Sequence, residues 1–331
     1  MDITWLDPAH LADRDLAGVV AVLEAAREAD APHEFSPTTA TVTVRLTDGW
    51  DGDPPQAALA RDARGRPTAL LAIGLPEWDN THMGVLDIHV DPVARRQGIG
   101  RHLFELGAER VRAAGRSLLV TDGFESTAGT AFAKAMGLDR ASEVVYRRQY
   151  LRTLDWARLD KEYAGAERHA AGYELVRMPG AVPDDMVDAV LLMGSAINDR
   201  PTDDLDVEAE VFTPKRLRAF EAGQAKRGRR LYRLVARELS TGTLAGQTMV
   251  AVLSDRPWHS NQYDTSVVRE HRGHRLGLYL KLGMLRWLAE EEPQLRVLDT
   301  DNAASNSYMI NVNEILGYVV IAKSLEWQKY L

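Results

Sequence analysis

The sequence predicts an α/β protein that contains two copies of one mixed α and β domain in tandem. Three observations lead to this expectation. Strand and helix patterns alternate along the chain, 331 residues suit two domains, and a set of landmark residues occurs twice at nearly one spacing. The recurring pairs are Arg95 and Arg272, Gly100 and Gly277, and Gly137 and Gly317. The first two pairs are 177 residues apart and the third 180, which indicates an internal duplication.

The first copy begins with an Ala-, Leu- and Glu-rich stretch whose apolar residues have helical spacing. A Gly- and Pro-containing turn at 62–67 separates two short apolar runs, which is typical of a hairpin. Gly137 ends a later helix. In chain order the pattern predicts a helix at 11–29, strands at 56–61, 68–75 and 83–90, a helix at 98–114, a strand at 117–121, a helix at 130–136 and a strand at 142–151.

The second copy repeats this order, with a hairpin turn at 240–242 and Gly317 after its last helix. Strands are predicted at 173–177, 231–237, 243–253, 263–268, 296–300 and 319–327, and helices at 184–195, 276–289 and 307–316. We therefore expect domains at 1–151 and 172–331. The stretch 152–171 is charged, rich in Ala and free of Pro, so we expect a helical or partly ordered connector there.

Composition narrows the class of protein. The chain is 45% hydrophobic and 27% charged, as in ordinary globular domains, and its net charge of −8 argues against a nucleic-acid partner. It has no cysteine, which excludes disulfides, thiolate zinc sites and a cysteine nucleophile. No apolar stretch approaches about 18 residues, and the N-terminus lacks a signal-peptide pattern. We expect a cytoplasmic protein without a membrane partner or a metal, either a monomer or a homodimer.

The most informative segment is a strand, a basic glycine-containing turn and an amphipathic helix, at residues 86–103. A helix N-terminus offers unpaired N–H groups and the positive end of the helix dipole, so this order suits an anion. Gly98 and Gly100 allow close approach of the backbone, and Arg95, Arg96 and Arg101 add charge. The pattern is neither a dinucleotide fingerprint nor a Walker A loop, because Leu103 stands at the third glycine and no Gly-Lys-Ser/Thr follows.

This segment resembles the signature of the GNAT superfamily of N-acetyltransferases, [QR]-x-x-G-x-[GA], which residues 95–100 fit in full. The second copy is similar at 272–277, and the resemblance covers nearly the whole chain. It implies in each copy a twisted mixed sheet that splits between strands 4 and 5, with acetyl-CoA bound in the split as cosubstrate. The implied cofactor-binding residues are Ile88, His89, Val90, Arg95, Arg96, Gln97, Gly98, Ile99, Gly100 and Arg101 in the first copy, and Val267, Arg272, Gly273, Arg275, Gly277 and Asn306 in the second.

The resemblance also implies that an acceptor amine attacks the thioester directly. Two departures from the family pattern bear on this. Where family members often have a tyrosine as general acid, this chain has Ala133 and Asn313, neither of which can protonate a thiolate. Arg275 replaces the first glycine of the second loop, where its side chain would crowd a pyrophosphate or bind it. The intact loop favours the first copy as the cofactor site, whereas Asn306 favours the second.

Candidate catalytic residues lie on the strand before each loop. Asp87 and Asp264 each precede the loop arginine by eight residues, and could anchor a cationic acceptor, relay a proton or hold the strands together. Tyr263 and Asn261 fall where family members place acceptor-side groups. An acidic run could line an amine-binding mouth or form a solvated loop, and contains Asp203, Asp204, Asp206, Glu208 and Glu210.

The sequence thus predicts an acetyl-CoA-dependent N-acetyltransferase that acts on a primary amine of a small molecule. The alternative is a non-catalytic coenzyme-A-binding or regulatory protein whose two sites are degenerate, and the missing tyrosines support it.

Overall fold

The twofold repetition predicted from the sequence organises the computed structural model, which describes residues 1–331. The strands of the first half are β1 (Asp2–Trp5), β2 (Gln56–Arg61), β3 (Pro67–Gly74), β4 (Met83–Val90), β5 (Leu118–Phe124) and β6 (Asp139–Tyr150). Its helices are α1 (Asp13–Asp30), α2 (Thr39–Asp48), α3 (Ile99–Ala113) and α4 (Thr127–Ala135). Most predicted elements of this half are found within a few residues of their expected bounds.

The second half repeats the pattern after helix α5 (Trp156–His169), which lies in the predicted connector. Its strands are β7 (Tyr173–Pro179), β8 (Arg229–Glu238), β9 (Leu244–Leu253), β10 (His259–Val267), β11 (Val297–Ala303) and β12 (Val319–Tyr330). Its helices are α6 (Val187–Gly194), α7 (Pro214–Lys226), α8 (Leu276–Glu291) and α9 (Ser307–Ile315). Short 3-10 turns lie at Pro92–Ala94, Leu151–Thr153, Asp184–Met186, Ser195–Asp199 and Arg269–His271.

Helix α2 was not predicted, because its sequence TATVTVRLTD is rich in β-branched residues that favour strands. The helix forms because Thr38 and Thr41 make a reciprocal capping box at its N-terminus. Val42 and Leu46, four residues apart, then bury one face against α1 and the sheet. Strand β1 and helix α7 were missed as well.

The chain forms two compact units, and each consists of more than one segment. The first unit contains residues 1–144, 202–209 and 322–331, and the second contains 145–201 and 210–321. Within the first unit the strand order is β1-β2-β3-β4-β5-β12, so the end of the chain completes its sheet. Within the second unit the order is β6-β11-β10-β9-β8-β7. The boundaries 1–151 and 172–331 describe repeats along the chain and stay a prediction.

Each unit contains the split that the sequence analysis predicts. Strands β4 and β5 are parallel and pair only at 83–85 with 118–120, after which they no longer pair with each other. Strands β10 and β11 pair at 259–261 with 297–299 and then separate in the same way. The predicted mixed α/β fold is therefore confirmed. Both units have the predicted split between their fourth and fifth strands.

The two faces of strand β4 have different surroundings. Leu86, Ile88 and Val90 pack in the apolar cluster that includes residues of α3. His89 is paired with Leu70, which belongs to the cluster beneath α1 and α2. Asp87 and His89 therefore lie on the α1/α2 face of the sheet, because cross-strand partners share a face. None of the helices is both long enough and apolar enough to cross a membrane.

Candidate active site

The loop after β4 is fixed in place by Arg95. Its Nε donates to the Val90 carbonyl (3.1 Å), and its two Nη groups donate to both carboxylate oxygens of Asp30 (3.0 and 2.6 Å). The Asp91 carboxylate accepts from the Val93 N–H (3.0 Å) and thereby caps the turn between strand and loop. Arg95 thus joins the loop to the end of β4 and to the end of α1, and this bidentate pairing occupies its guanidinium.

The backbone of this loop has the form of an anion cradle. Arg96 and Gly98 both adopt left-handed conformations (φ +64° and +84°), and α3 begins directly after Gly98 without a side-chain cap. The first intrahelical bond at this end runs from the His102 N–H to the Gly98 carbonyl, so the N–H groups of residues 99–101 have no partner within the helix. A Cβ placed on Gly98 meets no atom within 4 Å. The loop therefore offers donors and open space together.

The second unit builds the same loop from equivalent residues. Arg272 donates from Nε to the Val267 carbonyl (3.1 Å) and from Nη2 to Asp199 (2.5 Å). Arg269 donates to the other oxygen of Asp199 (2.9 Å). Asp199 therefore anchors the second loop as Asp30 anchors the first, from a different position in the repeat.

The left-handed conformations are kept in the second loop, but the glycine has moved. Gly273 (φ +88°) stands where the first loop has Arg96, and Arg275 (φ +55°) stands where it has Gly98. A side chain at the second position is strained by its backbone conformation. The Arg275 guanidinium reaches Glu162 of α5 (3.4 Å), so it has a partner outside the loop.

Two residues of α9 lie near the start of α8. The Tyr308 hydroxyl is 3.3 Å from the position that a Cβ on Gly277 would take, in the first turn of α8. The Asn306 side chain accepts from the Met309 N–H (3.2 Å) and caps α9. The predicted cofactor residue Asn306 therefore has a structural function as a helix cap, as Ser126 has in α4.

The opening between β4 and β5 contains a cluster of charged side chains. Asp87 accepts from His89 Nε2 (2.6 Å) on the same strand and from Arg45 of α2. The charge of Asp122, on the separated part of β5, acts on this group. The pKa of Asp87 lies well below its usual range, because the positive charges of His89 and Arg45 outweigh the loss of hydration.

The same cluster changes the other two pKa values. Loss of hydration lowers the pKa of His89, but the Asp87 carboxylate outweighs it and the net pKa is raised. Loss of hydration and the charge of Asp87 both raise the pKa of Asp122. The raised pKa favours the protonated imidazole, which has no lone pair to accept a proton, so the contact with Asp87 works against a role of His89 as a base.

The equivalent residue of the second unit, Asp264, has a different environment. The pairing of β10 with β9 shifts register between Gln262 and Thr265, so Asp264 stands in a β-bulge at the point where β10 has left β11. The register of β4 with β3 is continuous past Asp87. Asp264 is exposed, and no side chain forms a hydrogen bond or an ion pair with its carboxylate.

The surroundings of Asp264 raise the pKa of its carboxyl group toward neutral pH. Asp264 keeps access to solvent, but its position in the split limits its hydration, and this is the largest effect that raises its pKa to about 6. The negative charges of Glu210 and Asp301 add to it. Arg200 and Arg233 act in the opposite direction. A carboxyl group whose pKa lies close to neutral can both accept and release a proton, which is what general acid–base chemistry needs.

The other two predicted catalytic residues of the second unit are placed differently. The Tyr263 hydroxyl accepts from Arg229 Nη1 (2.5 Å) and donates to Gln224 (3.3 Å), and its ring packs edge-on against Phe220. Burial is the main cause of its raised pKa. Asn261 stands at the last position where β10 still pairs with β11. The structure therefore brings Asn261 and Asp264 to the opening, and attaches the Tyr263 hydroxyl to α7 and β8.

A buried ion-paired group supports the start of this second opening. Asp299, at the last paired position of β11, accepts from Arg148 through both oxygens (2.7 Å each) and from His259 Nε2 (3.0 Å). Burial opposes ionisation of Asp299, but the two hydrogen-bonding partners outweigh it and lower its pKa. The charge is thus compensated, and the group holds β6, β10 and β11 together.

The predicted acidic run divides between the two units. In the first unit Glu208 accepts from the Asn80 N–H (2.6 Å) and Asp206 accepts from the Tyr330 hydroxyl (2.8 Å). In the second unit Glu210 pairs with Arg200 (2.6 Å) and its charge reaches Asp264. Of the run, Glu210 is the residue connected with the second opening.

Sequence reasoning missed several residues that surround the two openings. They are Arg45 and Asp122 in the first unit, and Glu162, Asp301 and Tyr308 in the second. Arg45 lies on the helix that was not predicted. Asp122 and Asp301 lie directly after the apolar part of their strands, and that position was a usable signal once the split was expected.

Comparisons with known proteins agree with this geometry. Residues 22–138 match the family model "Acetyltransferase (GNAT) family". The whole structure is similar to that of a tandem GNAT protein from the clavulanic acid biosynthesis pathway, with a TM-score of 0.80, 26% identity, and coverage of 99% of this chain and 98% of that one. Residues 22–138 therefore form a domain of the GNAT acetyltransferase family, and the chain as a whole has the fold of a tandem GNAT protein. No curated protein matches the chain in sequence.

Two more distant structures share the fold of this chain. A GCN5-related N-acetyltransferase from Sphaerobacter thermophilus has a TM-score of 0.69 at 15% identity, with 99% of this chain and 95% of that chain covered. The N-myristoyltransferase of Saccharomyces cerevisiae, with bound myristoyl-CoA, has a TM-score of 0.61 at 13% identity, with 99% and 79% covered. At these identities the likeness concerns the fold alone.

GNAT acetyltransferases use an acyl-CoA donor, and features of both units fit such a molecule. Helices α3 and α8 begin without side-chain caps, so their first-turn N–H groups remain for an anionic pyrophosphate. Beyond 83–85 and 259–261, the edges of β4 and β10 that face the split have no strand partner. An extended chain with amide groups, such as pantetheine, suits such an edge.

Proposed function

We propose that this tandem GNAT protein is an acetyl-CoA-dependent N-acetyltransferase whose acceptor is a primary amine of a small molecule. We further propose that the second unit carries out the transfer. The observation that carries this proposal is the Asp264 carboxylate, which stands in a β-bulge at the opening, forms no hydrogen bond or ion pair, and has a pKa raised to about 6.

The charges around Asp264 favour a cationic acceptor. Glu210 and Asp301 add negative charge, and a protonated primary amine would be attracted to this group of carboxylates. An amine must lose a proton to become a nucleophile. Asp264 is ionised above about pH 6 and can accept that proton directly or through water.

Residues of the second unit also account for binding of the acyl donor. Arg272 and Asp199 hold the loop, and the first-turn N–H groups of α8 face it. When bound, acetyl-CoA supplies an acyl carbon that its thioester activates toward attack. The protein supplies orientation and a proton acceptor, so no covalent enzyme intermediate is needed.

We assign a different function to the first unit. Its loop has Gly98 at the open position, whereas the second loop has Arg275 there and the Tyr308 hydroxyl close to α8. We therefore expect the first unit to bind coenzyme A more tightly. Its acidic residue Asp87 is already neutralised by Arg45 and His89, so this carboxylate is not available to receive a proton.

Thiol release tests this proposal with little background, because the protein contains no cysteine. Wild type, Asp264→Asn and Asp87→Asn are assayed with acetyl-CoA and a panel of cationic, neutral and anionic small molecules, and coenzyme A is measured with a thiol reagent. We expect cationic amines to be the substrates. Loss of an anchoring charge costs on the order of 2 kcal/mol, so kcat/KM in Asp264→Asn should fall about thirtyfold with coenzyme A affinity retained.

Three outcomes contradict the proposal in distinct ways. A loss in Asp87→Asn that equals or exceeds the loss in Asp264→Asn places the chemistry in the first unit. Unchanged kcat/KM in both variants leaves the carboxylates structural. Coenzyme A binding without turnover of any amine supports the non-catalytic alternative.

A further inference from the structure

Lys281 is a buried cation that the proposed reaction does not use. It lies on α8 with 2% of its surface exposed, among the apolar residues of the core of the second unit. Its Nζ donates to Asn313 Oδ1 (2.6 Å) and lies 4.9 Å from the centre of the Tyr318 ring. It forms no ion pair with a carboxylate. Burial and the charge of Arg147 lower the pKa of Lys281 to about 7. A buried ammonium without a counter-ion destabilises a fold, so its presence calls for a functional reason.

Lys281 sets the direction of a hydrogen-bond chain. Its Nζ donates an N–H to Asn313 Oδ1, so Asn313 presents its amide oxygen to Lys281. The amide nitrogen of Asn313 then donates to Asn302 Oδ1 (2.7 Å). With its oxygen engaged in this way, Asn302 keeps its own NH₂ group as a donor, and this group has no hydrogen-bond acceptor in the protein.

This hydrogen-bond chain ends at the opening of the second unit. Asn302 is half-buried and lies on β11 beyond Asp299, the last residue that pairs with β10. Asp264 lies on β10, the other strand of the split. The first unit has no such chain, because the positions equivalent to Lys281, Asn313 and Asn302 hold Phe104, Ala133 and Gly123.

We propose that Lys281 is a positioning residue of the second unit, which acts through Asn313 to hold the Asn302 amide as a hydrogen-bond donor to the sulfur that leaves the acyl donor. The inference rests on the proposed function, in which the second unit transfers the acyl group. When the amine nitrogen forms its bond to the acyl carbon, the carbon–sulfur bond breaks and its electron pair stays on sulfur. Asp264 takes the proton of the amine on the β10 side, and Asn302 stabilises the new negative charge on the β11 side.

The test compares Asn302→Leu, Lys281→Met and the wild type. A hydrogen bond to a charged group contributes enough that its loss should lower kcat about tenfold in Asn302→Leu, with coenzyme A affinity within about twofold. Lys281→Met should lower kcat in the same direction, because Asn313 is then free to turn its amide. Phe104→Met, at the equivalent position of the first unit, is the matched control and should leave kcat unchanged.

A second readout does not depend on turnover or on the stability of Lys281→Met. The thiol pKa of coenzyme A bound to the second unit is followed by the ultraviolet absorbance of its thiolate, in Gly98→Glu protein so that the first site is silenced. The absence of cysteine removes competing thiolate signals. We expect the bound thiol to have a lower pKa than free coenzyme A, and this pKa to rise in Asn302→Leu.

The outcomes separate this inference from the proposed function. If Asp264→Asn loses activity while Asn302→Leu keeps its kcat and its bound-thiol pKa, the inference is wrong and the proposed function stands. If Asn302→Leu loses activity and Lys281→Met is folded and fully active, Lys281 does not position the donor. A thiol pKa that is equal in wild type and Asn302→Leu overturns the inference even if no amine substrate is found.

Discussion

Asp87 and Asp264 occupy equivalent positions in the two repeats, but only Asp87 is ion-paired. Arg45 and His89 hold Asp87, and they keep its pKa well below the usual range for a carboxyl. Asp264 stands in a bulge without a partner, and its pKa is raised to about 6. Two copies of one domain thus use the same residue for opposite purposes, a fixed charge in the first and a titratable group in the second.

The first prediction concerns the pH dependence of activity. Because Asp264 must be ionised to accept a proton, kcat/KM for a cationic amine should rise with pH through a midpoint near about 6. Initial rates of thiol release across a pH series measure this rise, which is the acidic limb of the pH profile. In Asp264→Asn the limb should disappear, and only the deprotonation of the amine itself, at higher pH, should remain. A limb near pH 6 that persists in Asp264→Asn would assign it to another group.

The second prediction concerns the anion loop of the first unit. In Gly98→Glu a carboxylate stands where a pyrophosphate is expected, so bulk and charge repulsion should weaken coenzyme A binding at this unit by about a hundredfold or more. Isothermal calorimetry should show two unequal sites in the wild type, with the tighter one missing in the variant.

Gly115→Glu is the control for the loop variant. Gly115 has a similar left-handed conformation (φ +74°), and a Cβ there also meets no atom within 4 Å, but it lies after the C-terminal end of α3. Both variants therefore carry the same backbone strain and the same added charge. Equal binding losses in the two would attribute the effect to strain, and unchanged binding in Gly98→Glu would refute the loop assignment.

The sequence predicted the features that depend on local pattern. The repeat spacing and the order of strand, turn and helix identified both loops, because these signals lie within short segments. The split between the fourth and fifth strands was expected from the resemblance to the GNAT superfamily. Helix α2 was missed since its composition favours a strand, and its capping box and buried face decide the matter instead. With α2 unpredicted, its residue Arg45 could not be placed beside Asp87.

The sequence could not predict which equivalent residues differ in environment. The bulge that frees Asp264 is a shift of one residue in strand pairing, and no glycine marks it. The loops likewise exchange a glycine for an arginine at two left-handed positions, and φ angles alone reveal that the conformation is conserved. Lys281 reads as an ordinary helical lysine until its burial and its contact with Asn313 are seen.

The third prediction concerns the charge of His89. The Asp87 carboxylate raises the pKa of His89 despite the loss of hydration, so this histidine should keep its proton to a higher pH than an unperturbed histidine does. Histidine side-chain NMR titration measures this directly. Asp87→Asn should lower the pKa of His89, since desolvation and the charge of Arg45 both lower it and the more weakly acting charge of Asp122 then remains as the opposing effect.

This prediction has a consequence for stability. A histidine whose pKa is raised on folding stabilises the protein fully below its unfolded pKa of about 6.5, and the contribution is lost as pH rises through the folded value. The free energy of unfolding of the wild type should therefore fall as pH rises through the folded pKa of His89, and Asp87→Asn should lack this fall. A His89 pKa that is the same in both proteins would show that Asp87 does not control it.

The fourth prediction concerns the stability effect of Lys281, whose pKa is lowered to about 7 by burial. Between that value and its ordinary pKa the unfolded chain binds more protons than the folded one, so this group makes the protein more stable as pH rises. From about pH 7 to about pH 8.5 the gain should be about 2 kcal/mol, which urea denaturation can resolve.

Lys281→Met has no ammonium to desolvate, so its stability should not show this gain. The free energy of unfolding of the variant minus that of the wild type should therefore fall by this amount over the same interval. The variant leaves Asn313 Oδ1 without its donor, a constant cost that does not change with pH. The pH dependence of the difference, rather than its size at one pH, therefore reports on the buried charge. A difference that is constant from pH 7 to 8.5 would mean that Lys281 titrates at its ordinary pKa, and that its hydrogen bond to Asn313 compensates its burial.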